Sequence, residues 1–187
     1  QMLGILGAAI AKEHDGEVLA LHVVQVPVQL SISDGRMFLR EGKPILEAAI
    51  NEAREVDVPV HTMIRLDRHT GRAITETARK ILATDTALMS IGGDHFVTWP
   101  LLKAHAEKHG PLRLIQFDAH SDTWADEPDR IDHGTMLWHA TREGLVVPER
   151  ITETARKILA TDTALMSIGG DHFVTWPLLK AHAEKHG

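Results

Sequence analysis

Four side chains of the kind that bind metal ions lie within a short central segment: His95, Asp118, His120 and Asp122. Asp118, His120 and Asp122 alternate at i, i+2 and i+4, which in an extended backbone directs all three to one side. The set contains imidazole and carboxylate groups, and the chain has no cysteine to add a thiolate. Such ligands suit Mn²⁺ or a similar ion, although they do not force Mn²⁺ over Zn²⁺. The Asp-x-His-x-Asp pattern alone also fits a solvated loop, so the metal prediction depends on its pairing with His95.

Each ligand group follows a short apolar run that predicts a buried strand. The run Ala87–Ile91 leads through Gly92–Gly93 to His95, and the run Leu112–Phe117 leads directly to Asp118. Ligand sites of parallel α/β sheets gather at the carboxyl ends of strands. If the two strands are neighbours, their ends lie about 5 Å apart. The paired glycines would let the backbone turn tightly below the ligands.

The rest of the chain alternates between helix and strand patterns, which indicates a parallel sheet covered on both faces. We therefore predict an α/β protein with a three-layer α/β/α sandwich and a mainly parallel sheet of about five strands. The other predicted strands are Val18–Val26 and Val58–Leu66. The predicted helices are Leu3–His14, Ile45–Glu55 (opened by Gly42–Pro44), Gly71–Ala83, Phe96–His109 and Gly134–Arg142.

The composition is that of a globular protein, with 43% hydrophobic and 25% charged residues among 187. The net charge of −6 argues against a nucleic-acid partner, since such binding depends on neutralising phosphates. No apolar run has the length that a membrane span requires. We expect a cytoplasmic protein with no membrane partner.

Residues 74–110 recur letter for letter as residues 151–187. Natural repeats share a pattern rather than every letter, so this identity indicates a very recent duplication or an engineered or recombinant chain. It divides the sequence into segments 1–73, 74–150 and 151–187, which we expect to share one continuous α/β domain. Two identical segments can compete for one place in a sheet, which predicts a homo-oligomer or a domain-swapped dimer through 74–110 and 151–187.

Three blocks in order resemble the ureohydrolase (agmatinase and arginase) family: Gly92–His95, Asp118–Asp122 and His133–Met136. The resemblance extends over about residues 74–150. It implies a binuclear manganese site whose hydroxide attacks a guanidinium carbon and releases urea. By resemblance, His95, Asp118, His120 and Asp122 match metal ligands. His133 matches a catalytic histidine of the cleft, with proton transfer as its implied role.

One expected block of that family is missing from the sequence. The family uses a later Ser-x-Asp-x-Asp-x-x-Asp-Pro block that supplies two more aspartates, and these 187 residues contain none. Four ligands remain where the family uses six. We therefore expect an incomplete site with one weakly held Mn²⁺ ion and no efficient catalysis. The alternative is a metal-dependent hydrolase that acts on a small guanidino compound such as agmatine, so enzymatic activity stays open.

The first part of the chain resembles a second family, the universal stress proteins, in its pattern. The matching segments are Gly16–Val24, Ile45–Glu55, Val58–Ile64 and Gly71–Ile74. That family has a Rossmann-like fold, and many members bind ATP through a late glycine-rich loop. No such loop occurs here, so no nucleotide cofactor is expected, and a nucleotide-binding module is kept as a further alternative. Together the two resemblances predict a chimera.

Overall fold

The computed structural model describes residues 2–114, 116, 118, 120–125 and 130–147. The second copy of the repeat, and every prediction made for it, lies outside the described residues. The chain divides into two compact units. One comprises residues 1–77 and 87–92, and the other comprises residues 78–86 and those from 93 onward.

The first unit is built around two parallel strands. Strand β1 (Val18–Gln25) pairs with strand β2 (Val60–Asp67) from Val18 opposite Val60 to Gln25 opposite Asp67. Helix α2 (Leu39–Glu55) lies between them in the chain and provides the long connection that parallel strands need. Both strands, as well as helix α1 (Met2–Glu13), lie close to their predicted positions.

Helix α2 begins well before its predicted start near Ile45, so that prediction was wrong. Pro44 was expected in the first turn, because proline lacks an amide proton and crowds the preceding turn. Instead it lies inside the helix. A 3₁₀ helix (Asp34–Phe38) runs directly into α2, and Phe38 already has right-handed helical torsion angles (φ −85°, ψ −8°). The residues Asp34 and Gly35 predict a turn here, but the sequence pattern did not indicate that the helix continues from it.

In the described residues of the second unit, helices pack around an apolar cluster. The main helices of this unit are α4 (Thr98–His109) and α5 (Met136–Arg142). Helix α3 (Thr70–Leu82) precedes them in the chain. All three helices lie close to their predicted positions. Leu102 of α4 and fully buried Met136 of α5 belong to the cluster, with Trp99 packed against it. The remaining buried members are Leu137, Ala140 and Val146.

The predicted strand at Ala87–Ile91 does not form. These residues have irregular backbone, and most of their side chains are exposed, including that of Met89. A five-residue apolar run has no periodicity that specifies a strand, and it needs a partner to complete its hydrogen bonds. In the predicted strand Leu112–Phe117, Leu112 forms one parallel bridge with Val146, while residues 115 and 117 lie outside the described part.

The α/β class with a parallel sheet is confirmed by β1, β2 and the helices that alternate with them. The three layers, the count of about five strands and the single continuous domain stay predictions. None of the described helices has both the length and the apolar content needed to cross a membrane.

Candidate metal centre

Two glycines and a helix cap position His95. Gly92 and Gly93 have φ angles of 106° and 79°, a region that favours glycine, so the predicted tight turn is confirmed. A Cβ atom at Gly93 would lie 2.6 Å from Cγ1 of Val97. Asp94 then caps the 3₁₀ helix His95–Val97, because its carboxylate accepts a hydrogen bond of 3.0 Å from the amide of Phe96. His95 therefore lies at the start of a short, fixed turn.

Three of the four predicted ligands come together in the second unit. The Nδ1 atom of His95 lies 3.0 Å from Oδ2 of Asp118 and is in closer contact with Oδ2 of Asp122. One donor atom from each residue lies within 4.8 Å of the others. The side chains are partly enclosed, with exposed fractions of 29% for His95, 27% for Asp118 and 12% for Asp122.

One of the two donor spacings suits a divalent ion. Ions held by imidazole nitrogen and carboxylate oxygen at about 2.0–2.2 Å keep neighbouring donor atoms about 3 Å apart. The separation of 3.0 Å between His95 and Asp118 matches that value, whereas His95 and Asp122 are joined by a direct hydrogen bond and lie closer together than two ligands of one ion would. One nitrogen and two oxygens without sulfur also agree with the preference of Mn²⁺ for hard ligands. The residues present therefore fit a divalent ion.

Asp122 has a left-handed backbone conformation. Its φ angle is 50°, in a region that aspartate adopts more readily than most residues other than glycine. The carbonyl of Asp122 accepts a hydrogen bond of 3.1 Å from the amide of Leu137, which belongs to buried helix α5. This hydrogen bond ties the loop at Asp122 to the buried helix. The predicted alternation from Asp118 to Asp122 in extended backbone is wrong at this residue.

Asp118 is held as a carboxylate by its neighbours. The amide of His120 donates to Oδ1 of Asp118 at 2.9 Å. This hydrogen bond lowers the pKa of Asp118 most, and the charge of His95 and the amide of Gln116 add to it, so that the pKa falls despite the opposing effect of partial burial. Asp118 is therefore ionised at neutral pH, the state in which a carboxylate binds metal.

His120 is the predicted ligand that the structure leaves outside the cluster. Its side chain is 82% exposed, and its Nδ1 atom lies 3.6 Å from Oδ1 of Asp118. Its carbonyl accepts a hydrogen bond of 3.1 Å from the side-chain amide of Gln116. The backbone of His120 is therefore tied to the loop while its imidazole points to solvent.

The predicted catalytic residue His133 is exposed and lies beside an ordered turn. Asp132 accepts a hydrogen bond of 3.0 Å from the amide of Gly134, and the carbonyl of Gly134 accepts one of 3.0 Å from the amide of Trp124. Burial raises the pKa of Asp132, but the Gly134 amide, Arg130 and His133 outweigh it, so the pKa is lowered. His133 thus lies next to a carboxylate. Its catalytic role stays a prediction.

The sequence patterns did not indicate the contacts that join α4 to α5. Glu143 accepts a hydrogen bond of 3.2 Å from Nε1 of Trp99 and forms a salt bridge of 2.9 Å with Lys103. The Lys103 ammonium also lies 4.1 Å from the centre of the Trp99 ring. The indole proton of Trp99 and the spacing of Trp99 and Lys103 on one helix face were the signals of a polar partner.

Helix α5 also contains a buried histidine that no motif identified. His139 donates a hydrogen bond of 2.9 Å from Nε2 to the carbonyl of Arg130, and its ring meets Trp138 edge to face. The hydroxyl of buried Thr135 donates to the same carbonyl at 2.9 Å. These two hydrogen bonds hold the carbonyl of Arg130 in place, just before the turn that contains Asp132 and His133.

Comparison with known proteins identifies relatives of this chain. A model of the arginase family matches residues 28–153 and, a second time, residues 145–187. An agmatinase from Chromobacterium violaceum is 45% identical over 104 residues, which cover 54% of this chain and 32% of the relative. An agmatinase from Serratia proteamaculans is 54% identical over 71 residues, which cover 38% of this chain and 23% of the relative. The matched segments thus span about a third or less of these relatives.

Among solved structures, a hypothetical agmatinase from Burkholderia thailandensis is 32% identical with a TM-score of 0.44, over 71% of this chain and 47% of that one. Proclavaminate amidino hydrolase from Streptomyces clavuligerus is 33% identical with a TM-score of 0.40, over 48% of this chain and 33% of that one.

The family match changes how the chain is divided. It begins at residue 28, upstream of the predicted start near residue 74 and inside the segment whose pattern resembles universal stress proteins. The second match includes the repeated segment 151–187. The stress-protein resemblance and the chimera stay predictions. Since the model matches more than half of the sequence, the chain belongs to the arginase family.

Proposed function

We propose that this protein binds one Mn²⁺ ion through His95, Asp118 and Asp122, as part of a site of the agmatinase type. The observation that carries the proposal is the convergence of these three donors, whose Nδ1 and carboxylate oxygen atoms lie within 4.8 Å of one another. The hydrogen bond from the amide of Leu137 to the carbonyl of Asp122 supports it, because it ties this ligand's backbone to buried helix α5. The similarity to agmatinases supports a guanidino compound as the substrate.

The proposed reaction is hydrolysis of a guanidinium group. When bound, the ion would supply a water of lowered pKa and polarise the substrate. A C–O bond forms at the guanidinium carbon and a C–N bond breaks, which gives urea and a primary amine. His133, exposed beside the loop of Asp132, would deliver the proton that the leaving amine needs.

We expect turnover by these 187 residues to be weak. They offer His120 as a fourth ligand but contain no Ser-x-Asp-x-Asp-x-x-Asp-Pro block for a second ion. Three residues therefore support metal binding, whereas efficient catalysis is not expected. The alternative of full agmatine hydrolysis is favoured by the 45% identity to an agmatinase.

Titration calorimetry with Mn²⁺ tests the site. We expect the wild-type protein to bind one ion and the variants His95→Ala and Asp122→Asn to bind it at least about tenfold more weakly. His109→Ala is the matched control, because it removes an exposed imidazole far along α4. Equal Mn²⁺ affinity in His95→Ala and the wild type would refute the proposal. Urea release from agmatine, measured on the same samples, decides between weak and efficient catalysis.

The exact repeat supports a recombinant origin for the chain as a second proposal, with the stress-protein-like segment as a separate source of function. The cheapest test is titration with ATP, for which we expect no saturable binding. Tight binding would favour the nucleotide-binding alternative.

A further inference from the structure

Two imidazole rings lie one turn apart on helix α4, outside the candidate metal centre. His105 and His109 are four residues apart, a spacing that places both side chains on the same face of a helix. Their ring centroids are 6.1 Å apart and the ring planes differ by 24°, so the rings are nearly parallel. His95 lies before the helix begins at Thr98, and about 10 Å of helix separates that start from His105.

The separation of the two rings is close to that of two imidazoles bound to one metal ion. An ion held by a ring nitrogen at about 2.0–2.1 Å lies about 3 Å from the ring centroid, so two such rings have centroids about 4.5–6 Å apart. His109 is exposed, so a small rotation of its side chain closes the remaining difference without disturbing the core. Two histidines at this spacing on one helix face bind Zn²⁺ in the His-Glu-x-x-His motif.

The surroundings of His105 favour the form of imidazole that binds metal. Its side chain is partly buried, and burial lowers the pKa of His105. The charges of His109 and Lys108 lower that pKa further. His105 is therefore neutral at neutral pH, and a neutral ring offers a nitrogen lone pair to an ion.

The charged neighbours on α4 are bound to helix α3 and to the residues that follow it. The carboxylate of Glu107 pairs with the guanidinium group of Arg79, and the ammonium group of Lys108 donates a hydrogen bond of 3.2 Å to the carbonyl of Thr84. In the His-Glu-x-x-His motif a general-base glutamate follows the first histidine directly, and Ala106 takes that position here. The two histidines therefore offer ligands for an ion without the base that hydrolysis would need.

We propose that His105 and His109 form a chelating site for a Zn²⁺-type ion, with water as the other ligands. Imidazole suits the later first-row metals, and the affinity of such sites is lowest for Mn²⁺. The pair therefore differs in metal preference from the cluster of His95, Asp118 and Asp122, and His109→Ala still serves as a control for Mn²⁺ binding. A bound Zn²⁺ ion would join two successive turns of α4 and stabilise the folded state.

Calorimetric titration with Zn²⁺ tests the pair in a background without the competing imidazoles. The double variant His95→Ala, His182→Ala removes the histidine of the candidate metal centre and breaks the identical pair, His182 and His186, of the second copy. We expect this background protein to bind one Zn²⁺ ion. A further change of His105→Ala or His109→Ala should weaken binding about a hundredfold, because it replaces a chelate with a single ligand.

The matched control moves one histidine without changing their number. Glu107→His combined with His109→Ala leaves two histidines at i and i+2, which do not face each other on a helix. It should bind Zn²⁺ as weakly as His109→Ala alone. Background affinity for Zn²⁺ in either of these variants would overturn the assignment.

Thermal unfolding gives a second measurement of the same site. Saturating Zn²⁺ should raise the Tm of the background protein and leave that of His109→Ala nearly unchanged, since an ion that binds only the folded state stabilises it. His109 is exposed and alanine is the better helix former, so this variant should fold normally. A rise of equal size in both proteins would show that Zn²⁺ binds elsewhere and would overturn the proposal.

Discussion

The imidazole Nδ1 atom of His95 lies 3.0 Å from a carboxylate oxygen of Asp118, although the two residues come from separate parts of the chain. His95 is placed by a glycine turn and a capped 3₁₀ helix, and Asp118 lies in a loop that also contains Asp122. The contact forms although the predicted strand Ala87–Ile91, which leads to His95, has irregular backbone. The position of His95 therefore follows from a turn and a capped 3₁₀ helix and not from a strand end.

Asp118→Asn should weaken Mn²⁺ binding by at least about tenfold, whereas His120→Ala should have a much smaller effect. Asp118 contributes a donor to the cluster, while the His120 side chain is 82% exposed and lies 3.6 Å from Asp118. Calorimetric titration of both variants measures the difference. Equal losses would mean that His120 moves onto the ion when it binds.

Gly93→Ala should destabilise the protein by about 1–3 kcal/mol, because its φ angle of 79° is unfavourable for alanine and the new methyl group would meet Val97. Gly110→Ala is a matched control: its φ angle is 74°, and a Cβ atom there meets nothing within 4 Å. Only Gly93→Ala should also reduce Mn²⁺ affinity, since it shifts the turn before His95. Urea denaturation and Mn²⁺ titration provide the two measurements, and similar losses of both quantities in the two variants would contradict this argument.

The helices could be predicted because their signals are local and repeated. Helix α3 shows apolar residues at helical spacing, and α4 ends at Gly110, whose positive φ angle suits a helix terminus. The strand Ala87–Ile91 failed because strand formation depends on a partner elsewhere in the chain, which a five-residue run cannot specify. The start of α2 was predicted too late because proline is common in the first turn of a helix, and the turn signal at Asp34 and Gly35 did not show that the helix would continue from it.

The cluster itself was partly predictable. The residue types and their spacing identified His95, Asp118 and Asp122, while exposed His120 was indistinguishable from them in the sequence. Its outward position is a property of the loop, which residue types and spacing do not indicate. The Glu143 contacts were hidden in the same way, because they join two helices through side chains distant in sequence.

Glu143→Ala should lower the free energy of unfolding by about 1 kcal/mol, because it removes the partner of Trp99 Nε1 and of the Lys103 ammonium. All three groups are partly exposed, so solvent screening limits the effect. Lys103→Met should cost less, since it leaves the Trp99 hydrogen bond intact. Urea denaturation gives both values, and a larger loss in Lys103→Met would show that the salt bridge, and not the indole hydrogen bond, dominates.

The Asp67–Arg72 pair should make stability fall in acid. Burial raises the pKa of Asp67, but hydrogen bonds from Arg72 and from the amide of His69 outweigh it and hold the pKa below the ordinary value of 3.8. A carboxyl group whose pKa is lowered by folding stabilises the protein above its unfolded pKa, and this contribution is lost as the pH falls through the folded pKa. Thermal unfolding measured from pH 6 down to pH 2 should show a loss that begins near about pH 4 and is smaller in Asp67→Asn.

Arg68→Met is the matched control for this prediction. Arg68 donates to the carbonyls of Val28 and Leu30 through its side chain. Its removal should lower stability at every pH without changing the further loss of stability that occurs in acid. An equally steep loss of stability at low pH in Asp67→Asn and in the wild type would show that other carboxylates determine the acid sensitivity.

The repeated segment should let two molecules exchange parts. In the first copy, Leu102 belongs to the apolar cluster of the second unit. Residue Leu179 occupies the same place in the identical second copy, which has the same chemical groups for binding the 112–147 segment. We expect a second copy from one molecule to replace the first copy in another, which gives a dimer whose fraction rises with protein concentration.

Light scattering at several concentrations measures that fraction, and the pair Leu179→Asp and Leu102→Asp identifies the segment responsible. Leu179→Asp should abolish the dimer and leave a stable monomer, because the charged second copy can no longer bury this position, while its first copy is intact. Leu102→Asp should destabilise the first copy and raise the dimer fraction, since the second copy then becomes the better occupant. A strict monomer at every concentration, or a dimer that persists in Leu179→Asp, would rule out exchange through the repeat.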